Sequence, residues 1–195
     1  MTRDLRLGPL ALVALFAIGA VGGLIGDMCH VESGTTVYLD DGLPYVWDSQ
    51  LWFPLMVGAG TAALGWIRVR LGESGGGDPE NARDVVAMVA AILALYALTA
   101  IVRGEPQPVA IVLVYGVAAL ICARFARGPS ELACGALAAL FGVGTEIALA
   151  GAGVFEYAAD VDQVVGVAAW LPGLYVAYGV VAARLGIIAS SGEPR

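Results

Sequence analysis

Glu146 is the residue whose type and setting carry the most chemistry. It stands in Phe141-Gly-Val-Gly-Thr-Glu-Ile147, inside a run from Leu132 to Phe155 that is otherwise free of charge. An ionised carboxylate is costly in such surroundings, so Glu146 must face a cavity, a ligand or a hydrogen-bond donor. Two readings stand side by side: contact with a ligand head group or a proton-linked site, and a carboxylic acid packed by hydrogen bonds to a neighbouring helix. A second cluster, Asp27-Met-Cys-His-Val-Glu32, gathers side chains that can ligate metals, but its spacing matches no metal motif. It reads as a polar loop, and no metal site is assigned. The three cysteines, Cys29, Cys122 and Cys134, are too widely spaced for a disulfide framework. The sequence holds no phosphate-cradling glycine loop followed by lysine, no Gly-x-Ser-x-Gly and no His-Glu-x-x-His. No catalytic residue is assigned, and none of these features requires a cofactor.

The elements that must position Glu146 follow from composition. The chain has 195 residues, of which 59% are hydrophobic and 14% charged. A water-soluble domain carries about 25% charged residues, so this chain cannot coat itself for water. Its fold class is all-α: a polytopic membrane protein, one integral domain spanning 1–195. A helix needs roughly 20 apolar residues to cross a bilayer. Six runs come near that length, at 7–26, 51–69, 85–102, 109–125, 132–155 and 164–185. They predict a six-transmembrane-helix bundle, the fourth having the shortest charge-free core. The first run is long for a signal peptide and reads as a retained helix. Residues 73–81, rich in glycine, read as a flexible linker.

Charge gives a direction. All ten basic residues are arginine, and the net charge is −7. No basic patch points to nucleic acid. With the N-terminus inside, nine arginines fall on the inner side and only Arg103 on the outer side. This positive-inside bias places both termini in the cytosol and the protein in the cytoplasmic membrane. Tyr45, Trp47, Trp52, Tyr157 and Trp170 fall near the outer interface and Trp66 near the inner one, as interfacial anchors do.

Glycine supplies the packing. Gly19, Gly22, Gly23 and Gly26 on the first helix, with Gly58, Gly60 and Gly65 on the second, allow close approach of backbones. Pro54 falls in a first helical turn, whereas Pro172 falls eight residues beyond Val164 and is expected to bend the sixth helix.

Two blocks resemble the Insig (insulin-induced gene) family. Trp52-Phe-Pro54 leads into Gly60-Thr61-Ala-Ala and ends at Leu71-Gly-Glu73; Gly153-Val-Phe-Glu-Tyr157 is followed by Trp170-Leu-Pro172. Both are similar to that family's patterns around its second helix and its fifth and sixth helices. The arginine-only composition, rich in Ala, Gly and Val, points to a bacterial, prokaryotic homologue. The resemblance implies a six-helix membrane sensor of oxysterols that works by binding other membrane proteins. Eukaryotic members carry Phe-Asp-Arg-Ser after the fourth helix, with an aspartate needed for the escort protein Scap. Here that stretch is Phe125-Ala-Arg-Gly128, so Scap is not an expected partner. The family's sterol-contacting glutamines lie close to Gln107 and Glu146, and Tyr96, Thr99 and Tyr115 add polar groups on the third and fourth helices.

The resulting expectation is a lipid binder without enzymatic activity. A sterol-, hopanoid- or diacylglycerol-like molecule would occupy a largely apolar cavity, with Glu146, Gln107, Tyr96, Thr99 and Tyr115 as ligand-binding candidates. Lipid occupancy that favours one helix arrangement would make the protein a lipid sensor. The alternatives are a small proton-coupled transporter or channel using Glu146, and an enzyme working on lipid head groups through the outer acidic cluster. A homo-oligomer, dimer or trimer, fits the small-residue face of the first helix.

Overall fold

The computed structural model describes residues 6–39, 43–72 and 82–191. The linker reading of 73–81 lies outside the described residues, as do Arg3, Asp40, Asp41, Glu73 and Arg195. Six long helices dominate: α1 (Pro9–Glu32), α2 (Trp52–Arg70), α3 (Ala82–Ile101), α4 (Gln107–Phe125), α5 (Pro129–Gly151) and α6 (Leu171–Ser191). Five are long and apolar enough to cross a membrane. The one that falls short is α2, not α4. Its composition explains this, since glycine, alanine and threonine fill its middle and Arg68 and Arg70 its end.

Helix α6 is the axis of the bundle. Buried residues make up 72% of its apolar window, against 22% to 33% in the other four spanning candidates. It packs against α2, α4 and α5 along its length, and α1 packs on α2. Prolines in the first turn start α1, α4 and α5, where the missing N–H costs little.

Short strands cap one end of the bundle. β1 (Thr36–Tyr38) pairs antiparallel with β4 (Phe155–Tyr157), joining the α1–α2 connection to the α5–α6 connection. Two hairpins follow: β2 (Tyr45–Val46) with β3 (Ser49–Gln50), and β5 (Asp162–Val164) with β6 (Val167–Ala168). The β5–β6 hairpin occupies residues that hydropathy assigned to the sixth helix. Helix α6 therefore starts at Leu171, and Pro172 sits in its first turn beside the helix start instead of bending it. Pro54 takes the matching place in α2.

The two connections repeat one plan. Helix α1 ends at Gly34 (φ 68°), with Thr35 N–H donating to the His30 carbonyl; α5 ends at Gly153 (φ 72°), with Val154 N–H donating to the Leu149 carbonyl. This is the glycine-terminated helix end in which a left-handed residue lets the chain turn back. A strand, a two-residue hairpin, a tryptophan at the helix start or just before it, and a proline in the first helical turn then follow in each case. The β1–β4 register pairs Thr36 with Tyr157 and Tyr38 with Phe155 about a centre at Val37 and Glu156, as a local twofold axis requires.

Both hairpin tips hold a non-glycine residue at positive φ, Trp47 at 54° in β2–β3 and Val165 in β5–β6. Val165 adopts φ 54° at the tip of β5–β6, followed by Gly166 at φ 88°. A two-residue turn of this kind suits Asn-Gly, while a β-branched residue there is disfavoured by about 1–2 kcal/mol. Val165 is 76% exposed, so Val165→Asn is expected to raise the unfolding temperature. An unchanged or lower midpoint in a thermal melt would remove the strain argument.

Candidate functional site

Below the cap, three side-chain systems lie inside the bundle. Glu146 on α5 is buried and accepts two hydrogen bonds, from Tyr157 Oη at 2.5 Å and from Tyr175 Oη at 2.6 Å. The tyrosines come from β4 and α6, so one carboxylate ties three elements. Asp27 on α1 accepts a bond from Tyr38 Oη on β1 at 2.5 Å. Burial and the adjacent Asp27 carboxylate both push the Tyr38 phenol well above its ordinary range, and burial with Glu146 does the same for Tyr157. Both phenols therefore remain protonated and act as donors. His30 contacts Thr99 Oγ1 through Nε2 at 2.7 Å, and Thr99 spends its own proton on the Tyr96 carbonyl at 2.6 Å. This places the imidazole proton on Nε2.

Tyr96 stands where the spaces meet. Its ring lies against His30, with centroids 5.4 Å apart, and close to the backbone of Gly26. No hydrogen-bond partner of its hydroxyl occurs among the described residues. It borders a cavity of about 340 Å³ between α2, α5 and α6, walled by Val57, Leu64, Ala138, Phe141 and Tyr178 among others. Phe141 is 69% exposed, so the cavity opens sideways through the flank of the bundle between α2 and α5. Its polar groups are few: Tyr96, Thr145, Tyr175 and Tyr178. Tyr178 donates to the Val57 carbonyl at 3.0 Å and lies 2.8 Å from Thr61 Oγ1, so Thr61 of the sequence motif braces the α2 wall. Gly60 borders the same cavity.

The five candidate residues thus divide. Glu146, Tyr96 and Thr99 lie together in the buried interior. Gln107 does not join them; at the cap, its Nε2 donates to the Asp160 carbonyl at 2.6 Å. Tyr115 is 41% exposed on α4, donates to the Ala169 carbonyl at 3.3 Å and covers Gly173. Trp170 and Tyr157 are not interfacial anchors, because both are buried, their centroids 6.3 Å apart. Trp52 anchors the cap through a bond from Nε1 to Gln50 Oε1 at 2.6 Å. Asp27 and His30 belong to helix α1, not to a loop, and among the described residues no group of three or more His, Cys, Asp and Glu side chains is placed to hold a metal ion between them.

At the opposite end lies a group that the sequence reading passes over. Glu131 is wholly buried, and its Oε1 accepts from Arg68 Nε at 2.8 Å and Arg184 Nη1 at 3.3 Å. The charges join α2, α5 and α6 at the end where the arginines gather. The available signal was weak, because Glu131 falls at a helix start and its partners lie far away in sequence.

Comparison with known proteins decides the family. No family model matches the chain. It is, however, 44% identical over 191 residues to an INSIG protein homolog of Mycolicibacterium vanbaalenii, covering 98% of this chain and 92% of that one. The chain belongs to the Insig family. The crystal structure of that organism's mycobacterial Insig homolog, MvINS, superposes with a TM-score of 0.92 at 43% identity, covering 97% of this chain and 99% of the other. A cross-linked MvINS trimer gives the same TM-score at 42% identity. This Insig-family chain is a helical membrane protein, and the Trp52 and Trp170 blocks that carried the resemblance form its two cap-to-helix junctions.

Proposed function

We propose that this Insig-family protein binds one membrane lipid in the cavity between α2, α5 and α6 and acts by that binding, without catalysis. The observation that carries the reading is the cavity itself. A space of about 340 Å³ with a mostly apolar wall and a few tyrosine and threonine hydroxyls fits a molecule with a large apolar body and a small polar head. Its sideways opening gives such a molecule a path from the bilayer. A sterol-, hopanoid- or diacylglycerol-like lipid meets these requirements. If occupancy favours one arrangement of α2 against α5, the protein is a lipid sensor. Arg68, Arg70, Arg124, Arg127 and Arg184 gather at one end of the bundle, which supports a cytosolic position for that end and for both termini. In that frame α2 completes six membrane crossings, its lower hydropathy compensated by packing on α1 and α6. The MvINS trimer supports a trimeric assembly here as well.

The test is native mass spectrometry of gently purified protein with lipid analysis of what dissociates. A lipid bound one to one is the expected result. Gly60→Leu should lower its occupancy several-fold, because a side chain there enters the cavity and meets only the Tyr178 hydroxyl at 3.1 Å from its first carbon. Absence of any bound lipid from the unaltered protein would defeat the proposal.

A further inference from the structure

Asp27 and Glu146 occupy equivalent places in the two repeated units. Each carboxylate accepts from a tyrosine eleven residues further on, Tyr38 and Tyr157, across a glycine-terminated helix end and into the paired strands. Both line one small chamber of about 20 Å³ beneath the cap, separate from the large cavity. Its wall draws matching residues from the two units: Asp27 with Glu146, Tyr38 with Tyr157, Phe53 with Leu171. The chamber therefore sits on the local twofold axis and has room for one water-sized guest.

Two features show that the chamber is not a finished polar core. Among the described residues, neither carboxylate has an arginine partner. The Thr36 hydroxyl, on a residue only 7% exposed, lines the same chamber and has no hydrogen-bond partner among the described residues. Two buried carboxylates facing one enclosed space repel each other unless positive charge enters. The groups facing them are His30 from α1, Tyr96 from α3, Tyr175 from α6, and Tyr38 and Tyr157 from the strands. The tyrosines are neutral donors, and the His30 Nε2 proton is already given to Thr99.

We infer that the chamber is a binding site for one small monovalent cation, held by oxygen atoms of Asp27, Glu146 and Thr36. Carboxylate and hydroxyl oxygens suit a hard cation. The charge can arrive as a sodium ion or as a proton taken up by one of the two carboxylates, and the two sources are separable by experiment. A cation here would fasten α1 to α5 directly under the paired strands.

The experiment follows thermal unfolding of the full-length protein in detergent, in sodium, potassium or choline chloride at constant ionic strength, from mildly acidic to mildly alkaline pH. A saturable rise of the midpoint with sodium, absent in choline and lost in both Asp27→Asn and Glu146→Gln, identifies a sodium site. Thr36→Val removes one ligand without touching either carboxylate. It should raise the half-saturating sodium concentration about tenfold, and it keeps the test open should a carboxylate variant fail to fold. A midpoint indifferent to sodium that rises on acidification, and does so less in Glu146→Gln, identifies the proton as the bound charge. The inference is overturned if the midpoint depends on neither sodium nor pH. It is equally overturned if either dependence survives unchanged in the carboxylate variants.

Discussion

Glu131→Gln is expected to lose most of its folded protein, at a cost of about 3–5 kcal/mol. The substitution keeps the shape and removes the charge. Glu131 is 0% exposed, with Arg68 at 1% and Arg184 at 4%, so water cannot take over the solvation of the two guanidinium groups. Their attraction to this carboxylate offsets much of the desolvation, and a neutral amide oxygen accepts the same hydrogen bonds far more weakly. A whole domain is stable by only about 5–15 kcal/mol, so the loss should appear as aggregation and a sharply lower unfolding temperature. A second variant isolates the cause. Replacing all three members with apolar residues of similar volume, Arg68→Met, Glu131→Leu and Arg184→Met, should recover much of the stability, because no charge is then left unpaired. If Glu131→Gln melts like the unaltered protein, the carboxylate does not compensate the arginines.

That group also shows where sequence reading stops. Hydropathy and the cost of a buried charge were enough to single out Glu146, and the structure places it at the junction of α5, β4 and α6. The same logic missed Glu131, since a charge at the end of an apolar run is ordinary until arginines from two other helices close over it. The β5–β6 hairpin was hidden for another reason. Val164-Val-Gly-Val-Ala-Ala is as apolar as a helix, and hydropathy does not distinguish strand from helix over so short a run. Its glycine and β-branched residues carried the strand signal. Gln107 comes from its place in a family pattern and Tyr115 from its polar hydroxyl on the fourth helix, yet both lie on α4, a peripheral helix, and turn toward the cap and the exterior. Position along a helix is legible from the sequence; which face meets the cavity depends on how α6 threads the bundle. The tyrosine eleven residues after each of Asp27 and Glu146 gains its meaning only from the pairing of β1 with β4.

Gly186→Val should be among the most damaging single substitutions in the bundle. Helices α2 and α6 touch backbone to backbone where Gly65 meets Gly186: a side chain on Gly186 would collide with Gly65 Cα and lie 2.6 Å from its carbonyl oxygen. Backbone atoms within a helix cannot rotate aside, so the helices must separate, at a cost above the roughly 1–3 kcal/mol of ordinary overpacking. The reverse position is softer. A side chain on Gly65 would meet Leu15 Cδ1 at 2.9 Å, the end of a side chain that can move, and Gly186 Cα at 3.1 Å. Gly65→Ala should therefore melt closer to the unaltered protein than Gly186→Ala does, an ordering that thermal unfolding in detergent reads directly. Equal midpoints for the two alanine variants would contradict the contact geometry. The same contact sets the large cavity, because α2 and α6 form two of its three walls. Gly186→Ala should then lower stability and lipid occupancy together, whereas Gly60→Leu lowers occupancy while leaving the α2–α6 contact in place. Measuring both quantities on both variants separates a cavity that is filled from one whose walls have moved.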